Sequence, residues 1–395
     1  MRDERLRMAL GYRKFAGPVR LLVLDTGYLV VNDLVDGAED LGWSVAKVPM
    51  KSKGAAQNDS LAALLKAFVQ HRPDFILTVN HLGFDADGVL VGVLKEYGIP
   101  VASWFVDHPL PILGGARKNA ADNVQIFCFE RTAIDWLTAE GYRDPVYLPT
   151  GANRRYFHPD NIDQALKAKL AHPLTFAGNS WWTKARVEPE KTVIKAARKL
   201  AKKRQIDRRI MTGGFEQLLQ KTLPGNPRRQ SAAAQVMLAE ASLKRRQAFA
   251  KALMAAGIRI HGDPYWQEMV PGIQLAPFVD NQKGLPALFA ASDINANVTA
   301  VQMPTAVNQR VWDVPAAGGF LLTDDQEDAK VHFEEDREVV LYDSFEMAVD
   351  KAKYYLAHET ERNAISGRAF EKVEKAHSLT QRMGVVGERM RRRFG

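Results

Sequence analysis

The stretch Asp74–Asp107, DFILTVNHLGFDADGVLVGVLKEYGIPVASWFVD, decides the fold. DFILTVN (74–80) and IPVASWFVD (99–107) are apolar with little alternation, as parallel strands covered on both faces are. Gly88 to Tyr97 reads as a helix, and Gly98 stands where a helix end favours left-handed backbone. Strand, helix and strand in this order predict a parallel β-α-β unit.

The same rhythm extends both ways. VRLLVLD (19–25), WSVAKVP (43–49), VQIFCFE (124–130) and PVYLP (145–149) add four strands, with helices over Val30–Leu41, Ser60–Gln70 and Thr132–Glu140. Gly42 and Gly141 stand at helix ends like Gly98. Residues 150–172, TGANRRYFHPDNIDQALKAKLAH, break the rhythm with turn residues and read as a linker. A second series follows: LTFAG (174–178), IRIHG (258–262), IQLAPF (273–278), DINANV (293–298), GFLLTD (319–324) and EVVLYD (338–343). The gap between its first two strands is long, basic and helical in pattern, and from Phe345 the chain reads as helix to Gly395. The expected fold is α/β: two Rossmann-like doubly wound parallel-sheet domains facing a cleft, with a basic helical insertion in the second. Their expected bounds are 1–150, a linker 151–172, and 173–375 with a helical segment 184–257. A C-terminal helix, 376–395, is expected to pack back toward the first domain.

Length and composition agree. A chain of 395 residues exceeds one ordinary core. The apolar share of 46% and the charged share of 25% are those of a globular protein. No apolar run approaches the ~18 residues of a membrane span, and the N-terminus lacks the apolar core of a signal peptide. One cysteine, Cys128, excludes an internal disulfide, and with scattered histidines it gives no zinc site; the chain is expected in a reducing cytoplasm. The net charge is +8, yet Lys184–Ile260 holds 19 Lys or Arg against five Asp or Glu. Such a segment attracts nucleic acid, anionic membrane or a phosphorylated ligand, or is simply a solvated helical face.

Chemistry in an open α/β sheet sits at the carboxyl ends of strands. Met303–Asp324, MPTAVNQRVWDVPAAGGFLLTD, reads as a short helix, a double-glycine stop at Gly318 and Gly319, and a buried strand. Its helix presents Asn308, Arg310 and Asp313. Phe176–Arg186, FAGNSWWTKAR, runs from a strand through Gly178 and Asn179 into a helix start. Its backbone N–H groups, with Lys184 and Arg186, would face an anion, although the P-loop spacing is absent. Trp104–Pro109 places Asp107 beside His108 after a strand. A carboxylate next to an imidazole suits a general base; a turn cap and a packed His would look the same. His81 holds a similar position, where Asn80 and Asp85 could form Asx-type turns. Gly27, in Asp25–Tyr28, allows close backbone approach. His261, in HGDPYW, lies near aromatics fit to flank a base or sugar. Asn295, Asn297, Thr299 and Gln302 would suit a polyhydroxylated ligand or an ordinary loop. Asp324-Asp325 is the only adjacent acidic pair at a strand end, and reads as loop; no metal motif is expected.

Taken together, the chain resembles the GT-B glycosyltransferases, specifically the spore-maturation protein CgeB-like group. The resemblance rests on DFILTVNHLGFDADG, IPVASWFVDHP and YLPTGANRRYFHP in the first half. In the second it rests on LTFAGN, NQRVWDVPAAGGFLLTDD and EVVLYDSFEMAVDKAKYYLAHETERNAIS. It implies a glycosyltransferase without metal or cofactor, with a nucleoside-diphosphate sugar donor on the second domain. The acceptor, a glycan, protein or small molecule, would bind the first. Asp313, where the family usually carries Glu, would hold the ribose hydroxyls. Lys184 or Arg186, with Gly178, Asn179, Asn308 and Arg310, would complete the donor site. His108 and Asp107 would face the transferred sugar, with His81, Gly27, His261 and Thr299 along the same cleft. Two other readings remain: a non-catalytic protein that puts its basic helices on nucleic acid, for which no recognised motif speaks, and a sugar-nucleotide epimerase on the same scaffold. No transmembrane segment is expected, and peripheral membrane contact stays open.

Overall fold

The computed structural model describes residues 8, 10–50, 57–113, 117–185, 195, 197, 211 and 214–395. Two compact units emerge. Unit 1 is Met1–Pro149, Asn226–Ser231 and Leu379–Gly395; unit 2 is Thr150–Gly225 and Ala232–Ser378.

Unit 1 carries β1 (Arg20–Asp25), β2 (Ser44–Pro49), β3 (Phe75–Val79), β4 (Val101–Phe105), β5 (Val124–Cys128) and β6 (Val146–Tyr147). Between them run α1 (Val31–Asp40), α2 (Gln57–His71), α3 (Val89–Glu96) and α4 (Ile134–Ala139). The sheet is parallel, in the order β2-β1-β3-β4-β5-β6. Strands β3, β4 and β5 are buried at every position, which is why they read as unbroken apolar runs. The chain leaves β1 in one direction and returns on its other side as β3, so the crevice between their carboxyl ends is a topological switch point.

Unit 2 repeats the plan. Its strands are β7 (His172–Ala177), β8 (Arg259–His261), β9 (Gln274–Ala276), β10 (Ser292–Ala296), β11 (Leu321–Asp324) and β12 (Val340–Tyr342). The order β12-β11-β10-β7-β8-β9, again all parallel, puts the switch point between β7 and β10. Helices α5 (Gln164–Leu170), α6 (Phe215–Thr222), α7 (Pro227–Leu253, grouped with this unit from Ala232), α8 (Gly284–Ala291), α9 (Arg310–Ala316), α10 (Glu327–His332), α11 (Phe345–Ala357) and α12 (Glu359–Ala376) follow in turn. One face of the sheet is sealed by Phe176, Phe249, Trp266 and Tyr342, the other by Phe289, Val311, Trp312 and Leu341.

The stretch read as a linker folds differently. Asp163 caps α5 by accepting from Ala165 N and Leu166 N, β7 begins at His172, and the whole stretch groups with unit 2. Its apolar residues Leu166 and Leu170 pack against the core, which turn-rich composition does not reveal. The last helix, α13 (Leu379–Phe394), belongs to unit 1. It buries Leu379, Met383, Val386 and Met390 with Val31, Leu34 and Val35 of α1. Gly37 permits the approach, since a Cβ there would lie 3.0 Å from the Leu379 backbone.

Candidate functional site

The turn after β7 is built by side chains from elsewhere in unit 2. Asp263 fastens it: its carboxylate accepts from Ser180 N at 2.6 Å and Ser180 Oγ at 2.8 Å. Trp266 Nε1 donates to Gly178 O at 2.8 Å. Gly178 and Gly262 face each other closely. A Cβ on Gly262 would come within 2.4 Å of Gly178 O, and one on Gly178 within 2.8 Å of Arg310 Nη2. Gly262 is therefore demanded by the backbone beside it, while a side chain on Gly178 would displace Arg310.

Two arginines meet at this turn. Arg246, in the middle of α7, donates to Asn179 O and lies 5.4 Å from the Phe176 ring centroid and 5.7 Å from that of Trp181. Arg310, first residue of α9, lies 5.5 Å from the Phe176 centroid. Each has a buried Nε with no hydrogen-bond partner. Burial, and then the charge of Arg310, bring Arg246 down to about 9; burial brings Arg310 to about 10 against the opposing pull of Asp313. Buried donors that carry charge and lack partners are rare in folded proteins and mark a place where an anion fits.

Around this pair the polar side chains are ordered. Asn308 and Asn297 exchange amide hydrogen bonds at 2.9 and 3.2 Å, and Asn297 also donates to Thr323 Oγ1 at 2.9 Å. Asn295 donates to Phe289 O at 2.9 Å. These amides tie α9 and the strands together, so Asn295 and Asn297, considered for a polyhydroxylated ligand, serve the fold instead. Thr299 donates through N and Oγ1 to Asp324 Oδ1 at 2.9 and 2.8 Å, and Arg245 reaches Asp324 Oδ2 at 3.0 Å. Asp324, which closes the expected strand GFLLTD but reads with Asp325 as loop, is the last residue of β11 and only 1% exposed, paired with the partly exposed Arg245.

Asp313 is buried too, one turn into α9, where Gln309 Nε2 donates to its Oδ1 at 2.9 Å and to Gly151 O at 2.7 Å. Asp313 is thus a buried carboxylate rather than part of an open helix surface, and its charge acts on Arg310 against the effect of burial. Lys184 is exposed, its amine 4.6 Å from the Trp181 ring centroid; Arg186 lies outside the described residues. His261 is buried in the β8 end, its Nδ1 3.2 Å from Pro277 O, and burial lowers its pKa. Arg246 was not singled out by sequence. Its signal is phase: it recurs with Ser242, Phe249 and Leu253 on the buried side of α7.

In unit 1 the candidates gather at the carboxyl ends of β1, β3 and β4. Asp107 Oδ2 accepts from Tyr28 Oη and, at 2.8 Å, from Asn80 Nδ2. His108 does not accompany it: the ring is 5% exposed, Nδ1 accepts from Leu110 N at 3.3 Å, and Glu130 is its charged neighbour. Burial lowers His108 to about 4. His81 is buried with Nδ1 2.9 Å from Ser103 Oγ, and burial lowers it to about 4 as well. Gly27 takes φ +72° in a turn whose N–H is received by Asp25 at 2.9 Å. Among the described residues, no group of three or more His, Cys, Asp or Glu is placed to hold a metal ion, and no helix is long and apolar enough to cross a membrane.

Residues 241–386 match the glycosyl transferase-like family, a stretch that includes Arg246, Thr299, Arg310, Asp313 and Asp324. No curated protein sequence matches the chain. Among solved structures, sucrose-phosphate synthase from Thermosynechococcus elongatus superposes with a TM-score of 0.56 at 10% identity, over 95% of this chain and 99% of that one. A UDP-forming α,α-trehalose-phosphate synthase from Burkholderia xenovorans gives 0.51 at 11%, over 94% and 99%. HepE from Anabaena, in complex with UDP and glucose, gives 0.50 at 11%, over 94% and 99%. At these identities the likeness is one of fold, and that fold is GT-B.

Proposed function

We propose that this GT-B glycosyltransferase takes its sugar from a nucleoside diphosphate, held by unit 2, and passes it to a hydroxyl of an acceptor held by unit 1. The observation that carries the reading is the pair of arginines, Arg246 buried and Arg310 half-buried, whose buried Nε donors lack partners at the β7–β10 switch point. A diphosphate laid along the Gly178–Asn179 turn supplies the acceptors they lack. Asp313 then accepts from the ribose hydroxyls, a charge-assisted contact on the order of 1.5–3 kcal/mol.

In the reaction the bond from the anomeric carbon to the diphosphate oxygen breaks, and the electron pair stays with the leaving group. Arg246 and Arg310 offset the charge that develops there, which is why a divalent cation is not required. The acceptor oxygen bonds to the anomeric carbon and its proton passes to Asp107. His108 is turned into the core while Asp107 is half-buried just past the carboxyl end of β4, which supports this carboxylate rather than His108 as the base. The quoted motifs favour the CgeB-like subgroup, and the lone, buried Cys128 fits a reducing cytoplasm. HepE, whose structure contains UDP and glucose, suggests uridine as the first base to try.

The test is thermal melting with millimolar UDP, GDP and TDP, on wild type and on Arg246→Ala and Asp313→Ala. At least one nucleotide is expected to raise the wild-type Tm, with the shift reduced in both variants. Absence of any shift would remove the donor site. Incubation with donor alone separates an epimerase, which would change the sugar without an acceptor, and activity in EDTA tests independence from metal.

A further inference from the structure

Three strand ends of unit 1 converge on one carboxylate. We infer that Asn80, with Tyr28, is a positioning residue that holds Asp107 in the orientation in which it receives the acceptor's proton; this rests on the reading of Asp107 given above.

Asn80 follows β3, beside the β1–β3 switch point, with φ +53°, and His81 follows at φ +57°. Two successive left-handed residues other than glycine are strained, and such strain persists where surrounding contacts impose it. Here they do. Asn80 N donates to Trp104 O at 2.9 Å, and His81 is anchored on Ser103 and packed 6.2 Å from Phe105, ring to ring. The backbone so held aims the Asn80 amide across to β4's end. Its Oδ1 accepts from Val106 N at 2.9 Å and Asp107 N at 3.1 Å, while Nδ2 reaches Asp107 Oδ2. Tyr28 brings a second donor to the same oxygen from the turn after β1. Burial and the adjacent Asp107 raise the Tyr28 pKa, so the phenol stays protonated and donates to that carboxylate.

Glycine would serve the backbone alone. What asparagine adds is the amide: two bonds fix the peptide that carries Asp107, and a third fixes the carboxylate's rotation. Placement of a base to within a fraction of an ångström is what a reaction with a bound hydroxyl demands. Among the groups facing Asp107 are Tyr28 from the turn after β1 and Asn80 from the end of β3, while the neighbouring His108 has Glu130 of the β5 end beside it.

Two variants separate the roles. Asn80→Gly keeps left-handed backbone accessible and deletes the amide. Asn80→Asp keeps the acceptor for both backbone N–H groups and sets a second carboxylate against Asp107. Hydrolysis of the donor that the melting panel selects, with water as acceptor, is followed against pH and donor concentration. Both variants are expected to melt near wild type and keep the nucleotide-induced shift. Both should lose at least tenfold in kcat at unchanged donor KM. In Asn80→Asp the acid limb should move to higher pH, because like charge disfavours an ionised base. Folded variants with wild-type kcat and pH profile would overturn the proposal. Asp107→Asn with full kcat would instead overturn the reading of Asp107 itself, and loss of the nucleotide shift in wild type would overturn the donor site.

Discussion

Arg246 and Arg310 share one aromatic ring, their guanidinium carbons 5.4 and 5.5 Å from the centroid of Phe176. Each keeps an unpartnered Nε, and the charge of one lowers the pKa of the other. Such a pair is costly to fold and useful only to a ligand that brings negative charge. Arg246→Met should therefore leave the unliganded protein within about 1 kcal/mol of wild type. It should weaken nucleoside diphosphate binding roughly 10- to 100-fold, the loss of a charge-assisted bond. Calorimetric titration with UDP or GDP, paired with urea unfolding, reads both. A large loss of stability with affinity intact would assign Arg246 to the fold.

Asp313 offers a sharper discrimination. If it accepts from ribose hydroxyls, Asp313→Asn should lower affinity for the ribonucleotide by roughly tenfold or more, and change affinity for the 2′-deoxy analogue far less. Asp313→Glu should retain most of the affinity, since the longer side chain keeps the charge. Equal losses for both nucleotides in Asp313→Asn would mean that the carboxylate acts through Gln309 and Gly151, which it already holds in line.

Gly178 separates room from chemistry. A methyl there would lie 2.8 Å from Arg310 Nη2, the end of a flexible side chain, whereas a methyl on Gly262 would meet backbone at 2.4 Å. Gly178→Ala should fold and lose nucleotide response as Arg310 is displaced. Gly262→Ala should cost roughly 1–3 kcal/mol of stability through overpacking. Melting curves with and without nucleotide distinguish the two.

What could be read in advance follows from burial. The central strands were legible because parallel strands covered on both faces become unbroken apolar runs, as FILTV and VQIFC show. The glycine-terminated α9 was legible for a similar reason: Gly318 takes φ +77° immediately after the helix, where a side chain would be strained. Arg246 was hidden because a cation in a basic helix reads as solvent-facing, and only its phase with Phe249 and Leu253 betrays burial. Asp107 was legible as a strand-end acid, but pairing it with His108 was not safe. Adjacent residues leaving a strand end have different surroundings, and here one meets Asn80 while the other meets Glu130. The linker was misread because α5 packs by only a few apolar residues in a stretch rich in turn formers.

His81 and His108 together set a pH limit on unit 1. Both are buried and lowered by that burial to about 4, from an ordinary value of 6.5. The unfolded chain therefore binds more protons than the folded one between those values, and stability rises with pH across that window. Their contribution is fully present above about 6.5 and is lost as pH falls toward about 4, on the order of 3 kcal/mol for each group. Urea unfolding at pH 7, 5.5 and 4.5 should show the midpoint falling steadily. His81→Phe removes one titrating group from the same apolar surroundings of Phe84 and Phe105, and should flatten the fall by about half. A wild-type slope retained in His81→Phe would place the pH dependence on other groups and return His81 to a purely packing role.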